Sequence, residues 1–343
     1  MPSGASRGPS GASRGQVGRG GQAEPRGAKW GAGPSRPRGQ ARGGAARLQI
    51  VARKDPNLTV TRTKASLFGF AAILSWGLLA LLAIGSAPVP PMQLNALCFA
   101  IGGAIGLVWT GFGAGFGVLR PVPWLVYLFG TLGLFGAHFL YFTAIRWAPM
   151  AETSLIGYLW PLLIVLLSSL LPGETLRPLH VAGALLAFGG AALIVLRGGA
   201  QMPAGAWPGF AMAFAFALTW AGYSVGSRRF GTQPSEAVTV YFLAGALLSV
   251  AAHLATETTV WPDSRLGWLA ILGLGVGPVG AAFFAWDIGM KHGDIQLLGV
   301  AAYAAPLIST LVLILVGITP VTATIFGAAA LIVGGAALAA RAR

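Results

Sequence analysis

Residues 151 to 171 read Ala-Glu-Thr-Ser-Leu-Ile-Gly-Tyr-Leu-Trp-Pro-Leu-Leu-Ile-Val-Leu-Leu-Ser-Ser-Leu-Leu, an apolar run long enough to cross a bilayer as a helix, with Tyr158, Trp160 and Pro161 part-way along it. Proline has no N–H to give, so the carbonyl of Gly157 loses its partner four residues on. In hydrocarbon an unpaired carbonyl persists only where protein or a water-filled cavity receives it. The kink expected between Gly157 and Pro161 therefore marks a cavity. The pattern recurs 145 residues later, with Tyr303 and Pro306 in a run from Ile295 to Val316 and Ala302 standing where Gly157 stood. Interrupted helices at matching positions of two halves are the sequence pointer to a transporter's binding site.

Composition agrees with a chain that lives in a bilayer. Of 343 residues, 55% are apolar and only 9% charged, at a mean hydropathy of +0.72; a soluble domain is about 25% charged. The net charge of +14 is concentrated in residues 1 to 64, which hold 13 of the 23 Lys/Arg and two acids, Glu24 and Asp55. That segment repeats PSGASRG at residues 2–8 and 9–15 and continues Gly/Arg/Pro-rich to about residue 44. With so few large apolar side chains it is expected to be a disordered, solvated cytoplasmic tail. RNA binding would need interleaved aromatics, and Trp30 is the sole aromatic before Phe68, so no nucleic-acid partner is expected. Residues 1 to 30 contain no apolar core of a signal peptide. The single cysteine, Cys98, excludes a disulfide framework and a cysteine metal site.

From Lys64 onward, apolar segments of spanning length follow one another, separated by short turn-rich breaks. The expected spans are 66–84, 92–116, 123–146, 151–171, 177–196, 206–228, 236–255, 265–290, 294–316 and 320–340. The fold class is thus an all-α polytopic membrane protein of ten helices. Repeats tie the halves together: Trp76 answers Trp220, Arg146 answers Lys291, and Gly189-Gly190 answers Gly334-Gly335, each 144 or 145 residues apart. Five spans per unit is an odd number, so the second copy, residues 201–343, enters from the opposite side to the first, residues 65–200. The halves are inverted repeats, a construction suited to alternating access. For the orientation with both termini inside, the inner loops carry Arg120, Arg177, Arg228, Arg229, Lys291, Arg341 and Arg343, and the outer loops only Arg146, Arg197 and Arg265. The positive-inside rule then places both ends in the cytoplasm.

The ten-span layout, the Tyr158-Leu159-Trp160-Pro161 motif and the basic loop after span six resemble the drug/metabolite transporter superfamily, EamA-type, over roughly residues 64 to 340. Membership would imply a transporter in the bacterial inner membrane, in the exporter branch of that family one that moves aromatic and other neutral amino acids outward; the alternative is efflux of another small metabolite or drug. It would also imply a central cavity lined by Tyr158, Trp160 and Pro161, with His138, Tyr141 and Trp220 completing it. The residues add an independent argument, since His138 and Tyr141 lie three apart and share a helix face. Tyr303 joins the substrate-binding set as the repeat mate of Tyr158, and Gly157, Pro161 and Pro306 are the expected kink and gating positions.

The remaining polar residues are few enough to weigh singly. Trp109, Trp124, Trp147, Trp207, Trp261 and Trp268 are near span ends and read as an interfacial belt. Gly183, Gly189, Gly190, Gly327, Gly334 and Gly335 read as close helix packing. Arg146 and Glu152 are expected to form a surface pair, and Asp287 and Lys291, four apart, to neutralise each other at the membrane edge. No span has a central carboxylate, which favours gradient-driven export or coupling through His138 over a carboxylate-based proton antiporter. Histidines 138, 180, 253 and 292 show no metal-ligand spacing, and no phosphate-binding loop or nucleophile–base constellation is visible. The expectation is a monomeric, non-enzymatic carrier without metal or cofactor.

Overall fold

The computed structural model describes residues 61–196, 203 and 205–342. Residues 62–64, expected in the tail, instead open the first helix, which Thr61 caps; the expected tail disorder up to residue 60, and Arg197 and Arg343 of the charge comparison, lie outside the described residues. Among these the chain is helical, with no strand, and ten helices are long and apolar enough to cross a membrane: α1 (Arg62–Gly85), α2 (Pro91–Phe112), α3 (Trp124–Trp147), α4 (Met150–Leu170), α5 (Pro178–Val195), α6 (Trp207–Arg229), α7 (Ser235–Thr256), α8 (Arg265–His292), α9 (Ile295–Leu315) and α10 (Ala323–Ala340). Ten crossings put Arg62 and Ala340 on one side, hereafter the termini side. Proline begins or immediately precedes several helices, where its missing N–H leaves no bond unmade: Pro91 and Pro178 open α2 and α5, and Pro123 precedes α3.

Helices α5 and α10 display the repeat symmetry. A Cβ on Gly183 would come within 2.5 Å of the Gly335 carbonyl oxygen, and one on Gly190 within 2.8 Å of that of Ala328. At a spacing of 145, Gly190 corresponds to Gly335 and Gly183 to Ala328, so the crossing maps onto itself when the halves are exchanged. Small residues are required there because the backbones touch. Gly189 and Gly327 meet no neighbour within 4 Å and Gly334 meets only Leu186 at 3.7 Å, so these three, expected at close contacts, are not part of the seam.

Both expected interruptions are present. Helix α4 consists of Met150–Gly157 and Leu159–Leu167, joined at Tyr158, with Pro161 in the first turn of the second piece. Helix α9 consists of Ile295–Ala301 and Ala304–Leu315, with Pro306 in the same position. In an unbroken helix the N–H of Leu162 would bond to the carbonyl of Tyr158. Here it donates instead to Tyr303 Oη at 3.1 Å, so a tyrosine from one interrupted helix satisfies the break in the other.

Two further irregularities complete the frame. Helix α1 is interrupted at Gly77–Leu78, where the Gly77 Cα faces Ile308 too closely for a Cβ. Helix α8 contains a π turn over Gly277–Ala281, and the Pro278 carbonyl accepts from Trp76 Nε1 at 3.0 Å. Trp76 also packs against Trp160, Trp220, Phe283 and Trp286, with ring centroids 4.9 to 6.2 Å apart, so the middle of the bundle is an aromatic layer drawn from both halves. The six tryptophans near helix ends are exposed, as belt positions are.

The α5–α10 seam makes a paired prediction. Gly190→Leu should lower the thermal stability of the detergent-solubilised protein by about 1–3 kcal/mol, the usual scale of overpacking. Gly327→Leu, in open space, should leave the melting temperature within error.

Candidate functional site

Between α1, α2, α3, α4, α6, α8 and α9 lies a chamber of about 440 Å³, within the size range of small-molecule sites. Its walls come from the middle of the bundle and from the half remote from the termini: Ala80 and Ala83 of α1, Asn95 and Cys98 of α2, Phe142 of α3 and Ser154 of α4. The central aromatic layer forms its floor through Trp76, Trp160, Trp220 and Phe283.

Six of the nine residues singled out in the sequence border this space: His138, Tyr141, Gly157, Tyr158, Trp160 and Trp220. Pro161 and Pro306 are buried behind the wall; their neighbours Trp160 and Ala305 face it. Tyr303 is a correction. It is fully buried against Phe188 of α5, and its hydroxyl is occupied by Leu162, so it holds the fold and does not line the chamber. Repeat correspondence misled there because equivalent positions have unlike surroundings in the two halves of an asymmetric state. The same correspondence, applied to Trp220, would have found Trp76. Asn95, Ser154, Phe216, Phe283 and Ser309 carried no sequence signal beyond their place in a span.

The polar groups of the chamber are held by the protein. His138 Nδ1 lies 2.8 Å from the Leu134 carbonyl, which can only accept, so Nδ1 carries the proton and Nε2 is the acceptor of the neutral ring. The ring is wedged between Phe99 and Phe283 at 5.1 and 5.7 Å. Tyr141 Oη and Ser154 Oγ are 3.2 Å apart, and Asn95 Nδ2 donates to Ser249 Oγ at 2.8 Å. Among the described residues no Asp, Glu, Lys or Arg lines the space. It is an aromatic box with hydroxyl, amide and imidazole groups at its edges.

Charged residues gather above and below it. On the termini side, Arg228 of α6 reaches the carbonyls of Met290 and Gly293 at 3.1 and 2.8 Å and pairs with Glu174 from the α4–α5 turn. Arg62 of α1 lies 3.7 Å from Glu174 and 3.5 Å from Asp294, so this network joins the first and second halves. On the opposite side, Glu257 accepts from the backbone N–H groups of Met92 and Gln93, pairs with His253 at 2.9 Å and pairs with Arg146.

Two expectations about these charges are overturned. Arg146 pairs with Glu257 rather than with Glu152, because α7 delivers that carboxylate beside the end of α3; Glu152 is itself buried. Asp287 and Lys291 do pair, at 2.6 Å, but both are buried rather than at an edge. Helix α8 runs 28 residues and includes a π turn, so a position five residues from its end is still inside the bundle.

The profile of the EamA-like transporter family matches residues 63–196 and again residues 207–341. The chain belongs to the EamA-like transporter family. Among its relatives, the aromatic amino acid exporter YddG of Ancylobacter novellus is 50% identical over 283 residues, covering 82% of this chain and 98% of that protein. The protein of the same name from Escherichia coli K12 is 24% identical, covering 81% and 97%. A solved crystal structure, also 50% identical, superimposes with a TM-score of 0.79 and covers 82% of this chain and 98% of its own. As an EamA-like transporter the chain is a multi-pass integral membrane protein.

Glu257 generates a pH prediction. Burial alone would raise its carboxyl, but the hydrogen bonds from His253, Met92 and Gln93 and the charge of Arg146 outweigh that and hold it below the usual carboxylate value of 4.5. Its stabilisation is therefore fully present above the ordinary carboxylate range and is lost as pH falls through the lowered value. Glu257→Gln should cost about 2 kcal/mol at neutral pH, the scale of hydrogen bonds to a charged group. Melting curves of both proteins should converge as pH is lowered below the ordinary range; a gap that stays constant with pH would show that the charge of Glu257 contributes nothing.

Proposed function

We propose that this EamA-like transporter exports aromatic and other neutral amino acids across a bacterial inner membrane by alternating access, as a monomer with both termini cytoplasmic. The observation that carries the reading is the chamber itself: four aromatic floor residues, Trp76, Trp160, Trp220 and Phe283, beneath polar groups from His138, Tyr141 and Tyr158, with no charged side chain in the wall. Ring faces and edges favour a planar apolar side chain, which is worth about 0.5–1.5 kcal/mol per aromatic pair beyond burial. The names borne by the relatives support the same cargo. The excess of Lys/Arg in the termini-side loops supports the orientation. Since no carboxylate lines the chamber, the cargo gradient itself, or a proton carried on His138, drives export.

Counterflow of labelled phenylalanine in proteoliposomes, with and without an imposed pH gradient, tests this directly. Exchange should saturate with unlabelled phenylalanine and be indifferent to unlabelled glucose; exchange blocked only by a non-amino-acid metabolite would replace the cargo. Trp160→Ala and Trp220→Ala should each cut phenylalanine exchange by roughly tenfold or more, in keeping with the loss of one or more ring contacts, while Trp→Phe at either site restores part of it. Pro161→Ala returns an N–H to the Gly157 carbonyl. It should slow turnover more than it weakens binding, and turnover equal to wild type would make the interruption of α4 incidental to transport.

A further inference from the structure

The chamber is built largely from one half of an inverted repeat, and the equivalent set from the other half is present but packed shut. With the spacing of 144–145 residues, Ala80 corresponds to Ser224, Ala83 to Ser227, Tyr141 to Trp286 and Phe142 to Asp287. The first member of each pair lines the chamber. Of the second members, Trp286 belongs to the aromatic layer and Ser224, Ser227 and Asp287 lie on its termini side; Ser224, Trp286 and Asp287 are 0%, 0% and 1% exposed. Three of the four correspondences exchange an apolar residue for a polar one. Hydroxyls and a carboxylate in a dry layer are costly, and that cost has no return in a state where the layer stays dry.

Asp287 is the group that bears most of this cost. Its Oδ2 is ion-paired with Lys291 Nζ at 2.6 Å, yet neither carboxylate oxygen has a partner in hydrogen-bond geometry among the described residues, although an ionised carboxylate has about four acceptor sites. Lys291 has a second acceptor, the Gln233 carbonyl at 3.2 Å, in the turn between α6 and α7. Trp286, next to Asp287, is anchored by its indole N–H to Ser224 Oγ at 3.1 Å, and Tyr223 lies against Trp220 with ring centroids 5.4 Å apart. A carboxylate with spare acceptor capacity therefore sits one residue from an indole and beside a phenol, just below the chamber floor. Among the described residues that line the chamber there is no anion for the ammonium group of a zwitterionic amino acid.

We propose that, when the termini-side network of Arg62, Glu174, Arg228 and Asp294 parts, this layer becomes the loading chamber and Asp287 binds the ammonium group of the incoming amino acid in place of Lys291. The inference rests on the exporter reading given above. Lys291 then turns toward the Gln233 carbonyl and water, and Trp286 and Tyr223 receive the side chain. Moving the substrate into the open chamber returns Lys291 to Asp287, so the pair resets the site without a net change of charge. The carboxylate acts as a recognition group for the amine, which explains why it is retained in a layer where an apolar residue would pack at lower cost.

The test uses the full-length protein in sided proteoliposomes with labelled phenylalanine as the probe. Asp287→Asn should raise KM for phenylalanine supplied from the termini side by about tenfold or more, the scale of one charge-assisted hydrogen bond, and leave KM from the opposite side within about twofold. Asp287→Glu should recover part of the loss. Equal changes on both sides, or none on either, would overturn the site. Because the buried pair also supports folding, accessibility provides a second measure. Measured over the labelling of the wild-type chain, whose single cysteine is Cys98, Ser227→Cys should react with an impermeant thiol reagent applied from the termini side, and faster with phenylalanine present; a thiol that stays unreactive throughout turnover removes the loading chamber. Wild-type vesicles that carry no phenylalanine at all would sink the exporter reading together with this one, whereas wild-type exchange with an unaltered Asp287→Asn KM sinks this one alone.

Discussion

A backbone group that loses its helical partner inside hydrocarbon must find another or bring water with it, and at two irregular points of this bundle, in α4 and α8, the answer is a side chain from a different helix. Leu162, freed where α4 is interrupted, donates to Tyr303 of α9. The Pro278 carbonyl, displaced by the π turn of α8, accepts from Trp76 of α1. Both bonds run between the two halves of the chain, over 141 and 202 residues of sequence. The places where the backbone departs from a straight helix are thus the places where one repeat is fastened to the other, and the chamber lies between those fastenings.

The same bonds show that the halves are in unlike states. Tyr303 is spent on the backbone of α4, but Tyr158, its counterpart in the repeat, faces the chamber. Trp220 and Trp76 both reach the central layer, yet the residues that follow them, Ala80 and Ala83 in one copy and Ser224 and Ser227 in the other, line open space in the first case and are sealed in the second. A pair of identical units would give a structure with two equal cavities or none. Unequal environments at equivalent positions are what a carrier needs to be open to one side at a time.

Much of this was legible before any coordinates. Ten spans follow from length and apolarity alone, since a bilayer of about 30 Å demands about 20 residues per crossing. The interruptions of α4 and α9 follow from two prolines, and the chamber residues His138, Tyr141, Tyr158, Trp160 and Trp220 from what the family resemblance implies. The departures have a common cause: sequence shows a residue's depth along a helix but not its azimuth. Gly189 and Gly190 are equally deep, and only Gly190 faces α10. Tyr303 is as deep as Tyr158 and points at backbone. The π turn had no visible signal beyond Gly277-Pro278, a pair that reads equally well as a simple kink, and it carried Asp287 and Lys291 further into the bundle than a span of ordinary length would.

The distribution of charge then follows from where water reaches. Glu257 and Arg146 meet at one end of the bundle, with His253 and two backbone amides completing the shell, and the Arg146 side chain, 40% exposed, keeps contact with solvent. The cost falls on the buried Glu257, where hydrogen bonds from His253 and two backbone amides offset it, and the cluster fastens α2, α3 and α7 together. At the other end Arg228 is threaded among the last carbonyls of α8, where a cation also meets the negative end of the helix dipole. Its hydrogen bonds close off the α8 end while Glu174 and Arg62 join α1 and the α4–α5 turn to the same point. Bonds of this kind release readily once water enters, because hydration replaces them at little net cost, whereas the α5–α10 backbone seam has no such substitute. In the transport cycle proposed above, the seam is the part expected to stay fixed, the ionic cluster the contact expected to separate, and the aromatic layer the surface between them.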